Sequence, residues 1–275
     1  MADVIFVSEE LAKAHNAGYT RKDGVYVKPF DDKRTKKPQS GSMFGLFKKP
    51  VFSLSASPLG PKPKPKAFHP AKNDKGESVG IFEPNKEDLS GIDDPGKVVT
   101  ITPGSKLPKS LNGVAFNDWT PPGDNEEWDY VEGQMDDLDE PPMHLPIGKK
   151  AASGMIVVES DGRAWVVSPT NQFGGYKNTF PKGKVEEDLS FQANAIKETW
   201  EECGIKADVI GFLGDVTRTT SVTRYYLAKR TAGNPSKVGW ESQAVHLVPV
   251  SDIYRFMDSE IDHKVADLLA QERDR

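Results

Sequence analysis

The stretch "SFQANAIKETWEECG", residues 190–204, specifies one helix with both of its ends marked. Ser190 is an N-cap residue, the residues after it favour helix, and Gly204 supplies the left-handed residue that closes it. At roughly 100° per residue, Glu198, Glu201 and Glu202 share one face. Around this helix the chain alternates with β-forming runs. "SGMIVVES" and "AWVVSP" precede it, joined by "DGR", which predicts a hairpin. "KADVIGFLGDV", "VTRYYLAKR" and "AVHLVPV" follow as strands, and "IDHKVADLLAQERDR" closes as a second helix. Strands that flank a helix and end on another indicate an α/β layered domain with a mixed sheet.

Like charges one turn apart repel by roughly a few tenths of a kcal/mol in water, and more when desolvated. A face of three carboxylates is therefore either a solvated acidic surface or a seat for hard divalent cations, which prefer carboxylate oxygens together with water and phosphate oxygens. The flanks favour the second. Gly183, Glu198, Glu201, Glu202, Gly204 and Ile205 stand in register with the Nudix box, Gly-x5-Glu-x7-Arg-Glu-U-x-Glu-Glu-x-Gly-U, where U is a bulky aliphatic residue. The stretch resembles that box with three departures: Leu189 for the first Glu, Lys197 for Arg, and Thr199 for the aliphatic residue. Lys197 keeps the positive charge without the planar fork of Arg. Leu189 removes an acidic anchor for which Glu186, Glu187 or Asp188 are the available substitutes. "TFPKGKVEE" is similar to the lead-in of several Nudix subgroups, and "GWESQAVHLVPVSDI" to a late strand that follows an acidic residue, here Glu241.

The resemblance covers residues 150–272 and implies a Nudix-type α/β/α sandwich with a mixed sheet. It implies a magnesium- or manganese-dependent pyrophosphohydrolase that cleaves the diphosphate linkage of a nucleoside diphosphate joined to another moiety, ADP-ribose-like or dinucleoside polyphosphate-like. The lysines are too sparse to favour a highly phosphorylated inositol. Glu198, Glu201 and Glu202 are implied as metal ligands, and one of them or Glu241 as general base. Gly183 permits a tight loop. Lys182, Lys184, Arg218 and Arg224 are candidate phosphate contacts, and Phe173, Tyr176 and Trp165 are available to stack on a base or to pack in the core. The family implies a small-molecule nucleotide as partner and, since many of its domains dimerise, a homodimer. The alternative function is a non-catalytic Nudix domain that senses a nucleotide or binds a protein.

The rest of the chain is divided by composition. Residues 1–30 hold a helix candidate in "SEELAKAHNAG" and a hairpin candidate in "GYTRKDGVYVKPF". Residues 31–78 are expected to be a Pro/Lys-rich linker, exemplified by "PLGPKPKPKAFHP", or else an arm that binds nucleic acid or a partner; "SMFGLFKKPVF" is an apolar island within it. Residues 79–149 are expected to be an irregular acidic region that packs near the core, lining the approach to the site or covering a sheet edge. Trp119, Trp128 and Tyr130 sit among its acids, and their spacing matches no calcium loop. Residues 150–275 complete the chain as the catalytic domain. The N-terminal part as a whole is expected to be irregular and partly disordered.

With a formal charge of -5 over 275 residues, the whole-chain balance gives no argument for nucleic acid. No stretch approaches the roughly 18 apolar residues of a membrane span, and the first residues lack a basic, apolar leader. The single cysteine, Cys203, falls in the helix as a core residue, which suits a reducing cytoplasm.

Overall fold

The computed structural model describes residues 63–273, together with residues 19–20 and 26–27. The chain divides into two units, Met1–Leu59 and Gly60–Arg275. In the first, β1 (Tyr19–Thr20) pairs antiparallel with β2 (Tyr26–Val27), Tyr19 opposite Val27. The helix expected over residues 8–18, the linker up to residue 62 and the apolar island lie outside the described residues.

The second unit begins differently from the expected linker. From residue 63 the chain forms a hairpin of β3 (Ala67–Lys72) and β4 (Ser78–Ile81), whose turn Asn73 closes by accepting the amides of Lys75 and Glu77. Short strands β5 (Val99–Ile101), β6 (Ser110–Leu111) and β7 (Val114–Ala115) follow, then α1 (Asn125–Asp129), capped by Asp124. Of the aromatics interleaved with acids, Trp128 is buried and meets Trp119 edge-on, Trp119 in turn meets Trp200, and Tyr130 stays exposed.

The remaining elements are β8 (Lys150–Val157), β9 (Arg163–Pro169), β10 (Lys182–Lys184), α2 (Phe191–Cys203), β11 (Ile205–Thr217), β12 (Ser221–Gly233), β13 (Ser242–Pro249), α3 (Ile253–Phe256) and α4 (Glu260–Arg273). One mixed sheet has the order β10-β8-β12-β11, with β8 and β12 parallel; a second has the order β5-β13-β9 and is antiparallel. The hairpin expected from "DGR" is not formed as a ladder. A single bridge joins Val158 to Ala164, after which β8 pairs with β10 and β12 while β9 pairs with β13. Both strands are buried on both faces, although β8 is internal to its sheet and β9 is at the edge of its own.

Alternate residues of the central strands enter two separate cores. Met155, Val157, Trp165, Val167, Tyr226, Val245 and Leu247 join Ala193, Ile196 and Cys203 of α2. Their neighbours Ile156, Ala164, Val166, Tyr225 and Val248 join Val265, Ala266 and Leu269 of α4. The period of two along a strand thus produces an α/β/α sandwich, with α2 and α4 on opposite faces.

Three buried arginines fasten the preceding region to this sandwich. Arg163 donates to Gly91 O at 2.9 Å and Ile92 O at 2.8 Å, Arg230 to Leu111 O at 3.0 Å, and Arg224 to Pro141 O at 2.7 Å. A buried guanidinium needs partners for five N–H groups, so each fixes the loop that supplies them. No described helix is long and apolar enough to cross a membrane.

Candidate active site

Local chemistry positions α2. The Ser190 hydroxyl accepts from Ala193 N at 3.0 Å, and Gly204 ends the helix at φ 70, a left-handed conformation that favours glycine. Buried Asn194 staples the helix to its surroundings: its Oδ1 accepts from Glu186 N and its Nδ2 donates to Ser153 Oγ, both at 3.0 Å. Gly183 faces Ser153 across the β8–β10 ladder. A Cβ built on Gly183 would fall inside the Glu198 carboxylate. The glycine is therefore required by the carboxylate lying against its α-carbon, a more specific reason than a tight loop. One residue away, Lys182 N donates to Glu202 Oε2 at 2.8 Å.

The carboxylates strain one another electrostatically. Burial, and then the charges of Glu202 and Glu201, push Glu198 up to about 9. Burial also pushes Glu202 up to about 7 against the pull of Lys182, with Glu241 and Glu201 adding to the rise. Burial and the charge of Glu201 raise Glu241 as well. Lys197 answers part of this charge. Its ammonium donates to Glu201 Oε1 at 2.8 Å and to Glu186 Oε1 at 2.7 Å. Burial works against the ammonium, but those two bonds outweigh it and hold its pKa above the ordinary lysine value, while the bond from Lys197 holds Glu186 low. Of the three acids near Leu189, Glu186 is thus the one that anchors Lys197. Leu189 itself is buried in the core under α2, and Thr199 turns its hydroxyl back onto Ala195 O.

Beside this face opens a cleft of about 520 Å³. It is lined by Lys182, Glu202 and Glu241 together with Val79, Phe173, Tyr176 and Trp240. The structure therefore brings together Glu198, Glu201, Glu202, Gly183, Lys182 and Glu241. Lys184 is exposed and outside the cleft lining. Among the described residues, no group of three or more acidic, imidazole or thiol side chains already converges at metal-ligand spacing.

Two expected phosphate contacts are placed otherwise. Arg218 is buried, donating to Asp262, Tyr225 Oη and Tyr176 Oη; Arg224 is buried, donating to both oxygens of Asp215, to Glu140 and to Pro141 O. Neither guanidinium lines the cleft, because charge this deeply buried has to be paired. Of the three expected aromatics, Phe173 and Tyr176 line the cleft, whereas Trp165 is fully buried with its indole N–H on Glu159. Trp240, Asn171 and Val79 were not among the expected site residues. Trp240 had one signal in the sequence, its place directly before Glu241.

Residues 148–269 match the family model described as NUDIX domain. Among solved structures, a NUDIX hydrolase from Nitrosomonas europaea is 13% identical, with 45% of this chain and 90% of that chain covered and a TM-score of 0.41. An ADP-ribose pyrophosphatase from Streptococcus suis 89-1591 is 16% identical, covering 44% and 91%, with a TM-score of 0.36. A C. elegans Ap4A hydrolase is 18% identical, covering 45% and 95%, with a TM-score of 0.37. No curated protein matches the chain. The family match takes in the four-stranded sheet, strands β9 and β13 of the second sheet, the capped helix and the carboxylates it carries, and over residues 148–269 this chain is a Nudix domain.

Proposed function

We propose that the domain is a metal-dependent pyrophosphohydrolase acting on a nucleoside diphosphate linked to another moiety, ADP-ribose-like or dinucleoside polyphosphate-like. The observation that carries this is the packing of Glu198, Glu201 and Glu202 on one helix face beside a cleft that Glu202 and Glu241 line, where burial first and neighbouring carboxylates after it hold Glu198 and Glu202 above the usual carboxylate range. Such a face gains stability by taking a cation, and the all-oxygen donor set suits magnesium or manganese. Glu198, Glu201 and Glu202 would hold the ion. Bound there, it would neutralise the diphosphate and acidify the attacking water.

The chain's own residues do the rest. Gly183 leaves room for the Glu198 carboxylate, Lys182 N orients Glu202, and Lys197 orients Glu201. The Lys182 ammonium, in the cleft lining, is the contact for a phosphate oxygen. Water oxygen bonds to one phosphorus, the bridging P–O bond breaks, and the departing phosphate keeps the bridging oxygen. One of Glu198, Glu201, Glu202 and Glu241 accepts the water's proton.

A second reading, a nucleotide-binding module without turnover, is favoured by one observation: Glu201 is engaged by Lys197. Product release from a panel of diphosphate-linked nucleotides, with magnesium or manganese, separates the two. Metal-dependent cleavage that collapses in Glu201→Gln and Glu202→Gln is expected. Tight binding of a panel member with no turnover would overturn the hydrolase reading.

A further inference from the structure

The mouth of the cleft is shaped by a segment outside residues 148–269, since hairpin β3–β4 grips both of its rims. On one rim, Asn171 Nδ2 donates to Gly80 O at 2.8 Å and Asn171 Oδ1 accepts from Phe82 N at 3.0 Å. Asn171 stands at φ 54 and opens the loop that carries Phe173 and Tyr176. On the other rim, Asp74 Oδ1 accepts the indole N–H of Trp240 at 3.1 Å, next to Glu241. Just below, Gln243 Nε2 donates to Asn85 Oδ1 at 2.7 Å and to Glu83 O at 3.1 Å. Val79, from β4, lines the cleft between the rims.

The Tyr176 ring is held in place. Arg218 Nη1 donates to the Tyr176 hydroxyl at 3.2 Å, and the Lys182 ammonium lies 5.2 Å from the Tyr176 ring centroid. Phe173 is 82% exposed, which leaves a large apolar face without a partner in the fold. The cleft lining thus combines aromatic rings with charged groups. A phosphate chain makes no use of the rings; a planar ring attached to one does, because stacking rewards ring area whatever the ring's substituents.

We propose that hairpin β3–β4 and Trp240 form the wall that selects a substrate carrying a planar aromatic ring, with Asp74 as a positioning residue that fixes the indole. This rests on the proposed hydrolase reading only in setting the diphosphate at Lys182 and Glu202.

The test is calorimetric binding of ADP and of inorganic pyrophosphate, in the presence of magnesium, to the full chain and to Trp240→Ala, Trp240→Phe, Asp74→Ala and Asp74→Asn. Each variant is first checked for an unchanged melting temperature. Asp74 sits in an exposed turn, so its variants test the idea even where Trp240→Ala fails to fold. Trp240→Ala and Asp74→Ala are expected to weaken ADP roughly 5- to 100-fold, the span of one lost base-stacking contact, and to leave pyrophosphate unchanged. Trp240→Phe keeps a ring and Asp74→Asn keeps an acceptor, so both retain most of the affinity. Equal losses for ADP and pyrophosphate, no loss in either alanine variant, or a wild type that binds neither would overturn the inference. Turnover of the nucleotide panel is read separately. Trp240-dependent preference for ADP without turnover sinks the hydrolase reading and leaves this one standing; turnover without that preference does the reverse.

Discussion

Glu198→Gln should stabilise the metal-free protein, by an amount set by pH. The carboxyl is held up to about 9 by burial first and by Glu202 and Glu201 after it, from an ordinary value of 4.5. Below about pH 4.5 the group is protonated in both the folded and the unfolded chain, so it contributes nothing. Above that, the unfolded chain releases a proton that the folded chain retains, and stability falls as pH rises towards the folded value. Each unit is worth at most about 1.4 kcal/mol. Between pH 4.5 and 7 the loss would reach about 3 kcal/mol for an isolated site, and sharing the strain with Glu202 brings it nearer about 2 kcal/mol. Glutamine is nearly isosteric with the protonated acid and removes this loss. Urea denaturation in EDTA at pH 4.5, 6 and 7.5 measures it. Burial also holds the imidazoles of His69 and His246 below their usual range, which makes stability rise with pH in both proteins. The difference between wild type and variant cancels that contribution and isolates Glu198. A variant as stable as wild type at pH 4.5 and about 2 kcal/mol more stable at pH 7.5 is expected. A difference that is flat with pH, or a variant less stable at pH 7.5, would refute the reasoning. Adding magnesium should stabilise the wild type more than the variant, since a ligand that binds only the folded state adds to stability by mass action.

Other outcomes follow from the same geometry. Gly183→Ala places a methyl where the Glu198 carboxylate lies; only the far end of a flexible side chain has to move, so the melting temperature should hardly change while turnover falls about 100-fold, as a misplaced catalytic group costs. Wild-type turnover in that variant would show that Glu198 acts from another position. Glu159 accepts from Trp165 Nε1 at 2.8 Å and from buried Arg230, so Glu159→Gln should cost about 3 kcal/mol in urea denaturation by leaving a buried guanidinium without its counter-charge; a cost below about 1 kcal/mol would mean that the carbonyls around Arg230, Leu111 O among them, are enough to hold it. A fragment of residues 60–275 should unfold cooperatively as the full chain does, whereas one of residues 146–275 should show no cooperative transition by circular dichroism.

Much of the domain was legible because its signals are local. Ser190 and Gly204 mark the ends of α2 through groups within a turn of themselves, and the carboxylate face follows from helical spacing alone. Strand pairing is another matter. "DGR" reads as a hairpin turn, yet β9 is buried on both faces, and such a strand takes its partners from wherever the chain returns, here from β13. The arginines are placed away from the cleft lining for a related reason. Guanidinium chemistry is the same towards phosphate and towards a carboxylate, and only burial decides between them; Arg218 found Asp262 and Arg224 found Asp215. The Lys197 departure was resolved by an acid three residues before the vacated box position, since Glu186 lies in a loop free to approach the helix. Trp240 and Asp74 meet across 166 residues, a separation no spacing rule reaches.

The region before residue 148 acts on the domain in two physical ways. β5 pairs with β13 through Val99, Thr100 and Ile101, which gives β13 a partner on the side away from β9. Without it a buried, apolar strand would present unpaired amides and carbonyls, a template for association with other chains. The carbonyls of residues 91, 92, 111 and 141 complete the bonding of Arg163, Arg230 and Arg224, so removing them would leave three buried cations short of acceptors. The contacts that hold β3–β4 against Asn171 and Trp240 begin from this same anchored stretch. The elements that complete the sheet and the element that shapes the cleft mouth are therefore parts of one folded unit. A substitution that loosens the anchoring arginines should weaken binding of a ring-bearing ligand as well as lower stability, and measuring ADP affinity in Arg163→Met at a temperature where the variant remains folded would expose that coupling. Unchanged affinity there would mean that the hairpin holds its place through its own contacts with the two rims.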